Sequence, residues 1–153
     1  MKNDELQELI GSWSPNLTFT EEGSQYLNVM VPLEELHAIM VKLKHNDQTS
    51  FDYLFCLSGV DWGEELGVVY HLESTDFRHS LVVKTQTADR ENPVIDSVYD
   101  IWATAEFHER EVFDFFGIKF SNHPNLKRLF LTEDWDGFPL RKDYEDNINM
   151  VIK

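Results

Sequence analysis

Four carboxylates fall within nine consecutive residues: Glu106, Glu109, Glu111 and Asp114. Two acids held close together can share the work of general acid and general base, which is hydrolase chemistry. Glu109 is the candidate for the raised pKa such a pair needs, because it falls on an apolar stripe. The alternative is structural. Glu106 then pairs with Arg110 one turn along, and an arginine from further down the chain, Arg128 or Arg141, neutralises Glu109. No pocket-forming motif accompanies the acids, which favours the structural alternative.

Other chemistries find less support. His108-Glu109-Arg110-Glu111-Val112 begins like a zinc-protease helix but has valine where the second histidine belongs. The remaining histidines lack ligand spacing, so satisfied or solvated side chains are expected. The single cysteine, Cys56, rules out an internal disulfide and any Cys-clustered metal site. It lies in the apolar run Leu54 to Leu57 and reads as a buried, inert thiol. The glycines of a dinucleotide or Walker loop are missing.

Charge narrows the partners. Thirteen basic against twenty-eight acidic residues leave a net charge of −15, which opposes free-standing binding to nucleic acid or to a bare anionic membrane. No apolar run approaches the roughly 20 residues of a spanning helix, and the acidic N-terminus lacks a signal peptide's apolar stretch. A soluble, intracellular protein or subunit is expected. Aromatic residues make up 13% of the chain, with eleven Phe, which calls for a dense core or a covering partner.

At 153 residues the chain suits one α+β domain, a two-layer arrangement of a small mixed sheet covered by helices. Asp4 to Ile10 reads as a short helix. Leu17 to Phe19 and Tyr26 to Val31 read as strands around a turn at Glu21 to Ser24. Pro32 opens a helix through Leu36, Met40 and Leu43. Tyr53 to Val60, Gly67 to Glu73 and His79 to Thr85 are strand-like, and Gly59, Gly63 and Gly67 belong to a polar hairpin rather than a membrane helix. Val98 to Phe116 carry helical spacing up to a stop at Gly117, with Glu109 in mid-stripe. Residues 119–153 lose periodicity and read as an extended, partner-binding tail after a domain spanning 1–118. Lys119, Lys127, Arg128, Arg141 and Lys142 interleave there with Phe130, Trp135, Phe138 and Tyr144, an interface-like composition.

Three blocks taken together are recognisable. Glu109-Arg110-Glu111-Val112-Phe113-Asp114-Phe115-Phe116-Gly117-Ile118 is followed by His123-Pro124-Asn125-Leu126-Lys127-Arg128. Then comes Asp134-Trp135-Asp136-Gly137-Phe138-Pro139-Leu140-Arg141-Lys142-Asp143-Tyr144. Over about residues 100–144 the pattern resembles the 30 kDa subunit of respiratory complex I, the NADH:quinone oxidoreductase. Two positions depart from it: Asn122 stands where the family commonly has glycine, and Phe138 where it often has histidine.

The resemblance implies a non-catalytic accessory subunit of the hydrophilic arm, peripheral on the cytoplasmic side of a bacterial cell membrane. It implies no cofactor on this chain; NADH, FMN, iron–sulfur clusters and quinone belong to partner subunits. The implied neighbours are the quinone-site subunit and the subunit holding the terminal iron–sulfur cluster, with membrane contact only through the complex. The alternative is the corresponding subunit of a related membrane-bound hydrogenase or of a ferredoxin or F420H2 dehydrogenase complex. The signature residues implied to fasten the tail or face other subunits are Glu109, Arg110, Glu111, Asp114, Gly117, His123, Pro124, Arg128, Trp135, Arg141, Lys142, Asp143 and Tyr144.

Overall fold

Alternation along the strands builds the core row by row. A computed structural model describes residues 2–20, 25–128 and 137–142. Its main sheet runs β1 (Thr18–Thr20), β2 (Leu27–Met30), β5 (Ser80–Thr87), β4 (Leu66–Glu73), β3 (Tyr53–Asp61). Only the β2–β5 pair is parallel, so the sheet is mixed. The register aligns Val29, Val83, Tyr70 and Leu57 across four strands, and all four are buried. Side chains two apart share a face, so this row and its neighbours form one apolar floor.

Three helices cover that floor. α1 (Asn3–Gly11) buries Leu6 and Ile10, and α2 (Leu36–His45) buries Leu36, Ile39, Met40 and Leu43. Pro32 precedes a single 3-10 turn, Leu33–Glu35, before α2 begins, so the helical spacing read from Leu33 splits into two elements. α3 (Ala105–Phe116) lies against β3, where the bare Cα of Gly59 admits the Phe116 ring; a β-carbon there would stand 2.5 Å from it. The α+β, two-layer expectation agrees with this architecture. Among the described residues no helix is long and apolar enough to cross a membrane.

Three expectations need correction. Helical spacing from Val98 does not produce helix there: residues 98–102 form a tight turn, with Ile101 and Trp102 N–H groups both donating to the Val98 carbonyl, and α3 starts at Ala105. Residues 119–121 are not extended tail but strand β7 (Lys119–Ser121), which pairs in parallel with β6 (Val94–Asp96). At three residues each, neither strand is long enough to show a period. Cys56 is not buried but half-exposed on edge strand β3, because a bulge between Leu54 and Cys56 shifts the alternation. The expected turn at 21–24 lies outside the described residues.

Candidate functional site

α3 carries four of the signature residues, Glu109, Arg110, Glu111 and Asp114. Gly117 ends it in the left-handed region (φ +76°), donating its N–H to the Phe113 carbonyl. Glu109 is fully buried in mid-stripe between Ala105 and Val112, as the spacing predicts. Its partners differ from the expected arginine. Ser97 Oγ donates to Glu109 Oε1 at 2.5 Å and the Val98 N–H donates to Oε2 at 3.0 Å. Glu109 thus ties α3 to the turn that precedes it. Burial pushes its carboxyl up to about 7, against the two hydrogen bonds, with Asp100 and Glu106 adding repulsion. The Tyr70 hydroxyl below is buried without a hydrogen-bond partner, and burial raises it further from ionisation.

That same turn is pinned from other sides. His37 of α2 bonds Asp100 at 2.9 Å, Lys44 donates to the Ile101 carbonyl, and Trp102 Nε1 donates to the Phe51 carbonyl. Its geometry therefore comes from side chains of α2 and α3 and from its own Trp102 rather than from helix propensity.

The loop after β7 docks on the outer side of α3. His123 Nδ1 accepts the Asn125 N–H at 3.0 Å, leaving Nε2 to donate to the Glu106 carbonyl at 3.0 Å. Arg110 pairs with Glu106 at 3.5 Å, as the four-residue spacing predicts, and also donates to the carbonyls of Lys127 and Arg128. Arg128 turns to Asp114, not Glu109. Its Nη1 lies 3.4 Å from Asp114 Oδ1 and from the Asp114 carbonyl. Its Nη2 donates to the Gly137 carbonyl at 3.0 Å. Glu111 is half-buried, and two positions from Glu109 it projects from a different side of the helix.

Residues 137–142 close the arrangement. The Phe138 ring sits over Gly117, with Arg128 and Arg141 guanidiniums 4.9 and 5.2 Å from its centroid. Arg141 Nε donates to the Phe116 carbonyl, so the expected Glu109–Arg141 pair is also absent. The Leu140 N–H donates to the Phe115 carbonyl, and the Lys142 N–H to Asp61 Oδ2 at 2.8 Å. Asp61 ends β3, and its nearly sealed carboxylate also receives both terminal nitrogens of Arg90 at 2.8 Å and the Gly63 N–H. Arg90, with help from the Lys142 and Gly63 N–H groups, holds Asp61 well below the ordinary carboxylate range. Sequence reading missed Asp61. The one local signal was the Asp-Trp-Gly turn, whose side chain–backbone bond spans two residues.

The described residues contain no group of three metal-capable side chains. Glu109 is sealed from solvent, so the acid–base hydrolase reading has no route for substrate. Trp135, Asp143 and Tyr144 lie outside the described residues. Arg110, His123, Arg128, Arg141 and Lys142 converge on α3 and the strand beneath it.

The family profile described as "Respiratory-chain NADH dehydrogenase, 30 Kd subunit" matches residues 29–148. The chain belongs to that family. The C/D subunit of the NADH-quinone oxidoreductase of Phocaeicola vulgatus is 53% identical over 122 residues, 79% of this chain. The chain spans only 23% of that relative's length. The C-type subunit of the NADH-quinone oxidoreductase of Chloroherpeton thalassium is 46% identical over 71% of this chain and 45% of its own length. Two solved structures share the fold of this 30 kDa family member. A trypsin-resistant fragment of Nqo5 aligns with TM-score 0.69 and 28% identity, over 82% of this chain and all of that one. A chain of the archaeal membrane-bound sulfane sulfur reductase aligns with TM-score 0.80 and 25% identity, over 97% and 88%.

Proposed function

We propose that this chain is a non-catalytic accessory subunit of the hydrophilic arm of a proton-translocating NADH:quinone oxidoreductase. It packs beside the quinone-site subunit and the subunit holding the terminal iron–sulfur cluster. There it supports electron transfer from NADH to quinone, on the cytoplasmic side of the bacterial membrane. NADH, FMN, clusters and quinone are held by the partners and none by this chain. The observation that carries this reading is the convergence of three separated signature blocks on α3. The side chains of Arg110, Asp114, Arg128 and Arg141 are directed to the chain's own backbone and to each other, which supports a fastening role rather than chemistry. Arg110, Asp114, Gly117, His123, Arg128 and Arg141 fasten the loop and tail, and Glu109 fastens the turn before α3. Glu111, Pro124 and Lys142 face neighbouring subunits. Leu140, 56% exposed beside Phe115, suits such a contact.

The test is purification through an affinity tag on this chain from gently solubilised host membranes. NADH:quinone activity, flavin and iron should co-purify in an assembly far larger than 18.0 kDa, while the chain made alone shows none of them. Flavin or iron bound tightly to the isolated chain defeats the reading. A second reading, the equivalent component of a related respiratory membrane complex with another electron donor, draws on the likeness to the sulfane sulfur reductase chain. The donor accepted by the purified assembly separates the two.

A further inference from the structure

The helices α1, α2 and α3 all pack into the one core that Leu57, Tyr70 and Val83 enter from the sheet. The opposite face of the sheet receives none of the three. There the register sets Asn28, Val82, His71 and Cys56 in one row across four strands. The bulge in β3 puts Phe55 as well as Cys56 against His71, so Phe55 joins this face. Its ring lies 5.6 Å from the His71 ring and 6.0 Å from that of Tyr53. At the far end the Trp62 ring folds over the bare Cα of outward-facing Gly67.

A sheet face left to water should carry polar side chains at alternate positions. This one carries Val60, Val69 and Met30, all half-buried, between the exposed rings of Tyr53, Phe55 and Trp62. Val82 is only 5% exposed although it stands outside the main core cluster, so its neighbours on the outward face shield it. Charge is sorted too. In a chain with twenty-eight acids, the outward strand positions hold one carboxylate, Glu73, and one ammonium, Lys84. Exposed acids stand instead at the ends of the strands: Glu64 and Asp76 in the two hairpins, and Asp89 beyond β5. An apolar centre with aromatic anchors and a charged rim is the anatomy of a protein interface.

We propose that this face docks a helix of another protein subunit, apolar along its contact stripe and rich in lysine or arginine at its flanks. The proposal rests on the reading of the chain as part of a larger assembly, and adds the face by which it is held. A helical layer is what closes the free side of a sheet. The acidic rim selects basic flanks. A second copy of this chain would set acid against acid and add a further net charge of −15, so it is the poorer occupant.

Cys56, half-exposed on this face and the chain's single cysteine, reports on it directly. N-ethylmaleimide should label Cys56 readily in the full chain made alone. In the assembly purified through a tag on this chain, labelling read at the Cys56 peptide should slow by about tenfold or more. Carbodiimide should couple Glu64 or Asp76 to lysines of another subunit in that assembly. Phe55→Glu, at an exposed position, should leave the lone chain's circular dichroism and urea midpoint unchanged yet lower its recovery in the assembly. Equal labelling of Cys56 alone and assembled overturns the docking face while the chain still co-purifies as a subunit. Failure of the wild-type chain to bring down any assembly defeats that reading and the proposal together. Cys56 already protected in the lone chain, or coupling confined to copies of this chain, overturns the stated occupant. Should Phe55→Glu not fold, the wild-type labelling and coupling decide alone.

Discussion

The Phe138 ring occupies the space where a β-carbon on Gly117 would stand, its Cε2 only 2.6 Å from that point. Helix end and tail segment are thus fitted to each other through a missing side chain. Gly117 serves twice, as the left-handed stop of α3 and as the floor under Phe138.

Gly117→Ala should therefore cost more than backbone strain. A left-handed non-glycine residue costs about 1–2 kcal/mol, and the β-carbon must also displace Phe138. Gly63→Ala is the control, since Gly63 also has a positive φ (+96°) but open space around its Cα. Chemical denaturation of both variants should find Gly117→Ala clearly the less stable. Equal losses would show that the Phe138 contact contributes nothing.

Asp61→Ala should release the 137–142 segment and leave Arg90 without its carboxylate. Breaking a buried pair from one side costs about 3–5 kcal/mol, and with the Arg90 side chain 22% exposed the loss should fall at or below the lower end. Hydrogen exchange should show the Lys142 N–H, and with it Leu140, losing protection while the β4–β5 strands keep theirs.

The two perturbed acids impose opposite pH dependences. Asp61 is depressed, so its contribution is present above its unfolded pKa near 3.8 and is lost only as pH falls below that. Glu109 is raised from 4.5 to about 7, so its contribution is full below 4.5 and is lost as pH rises through 7. The difference corresponds to about 3 kcal/mol. Urea midpoints should therefore fall between pH 4.5 and 7 and then level off.

Glu109→Gln should flatten that decline. The amide can donate to Ser97 Oγ and accept the Val98 N–H, mimicking the protonated acid. Above pH 7 the variant should match or exceed the parent in stability. Parallel urea curves at both ends of the range would contradict this.

Phe138→Ala should loosen the Arg128 and Arg141 side chains that stack on its ring, at a cost of about 2 kcal/mol. Line broadening of both guanidinium Nε–H resonances would report it. Phe138→Leu should keep the packing but lose the stacking share.

Burial was more legible in the sequence than partnership. The 3.6-residue spacing of Ala105, Val112 and Phe116 placed Glu109 inside, and it is inside. Opposite charge then suggested an arginine, yet a hydroxyl and a backbone N–H hold it, and neither carries a charge to look for. Arg128 found Asp114, which the helical count leaves off the apolar stripe although it is fully buried. The long strands β4 and β5 read as strand-like runs, whereas β6 and β7, at three residues each, gave no run to read. Asp61 escaped notice because its partners Arg90 and Lys142 lie 29 and 81 positions away.

That last separation bears on how the molecule is made. A ribosome delivers β3 and its terminal aspartate long before Lys142, so for 81 residues of elongation the nascent sheet carries an acceptor whose final donor does not yet exist. Arg90 can neutralise the carboxylate early, 29 residues on, but the last lone pair must wait on water. The sheet and α3 can form as an early folding unit, and the seam between β3 and residues 137–142 closes late and cooperatively. A chain stalled before residue 137 would present α3 with a bare glycine groove and an incompletely bonded aspartate, the mark by which an unfinished copy differs from a finished one.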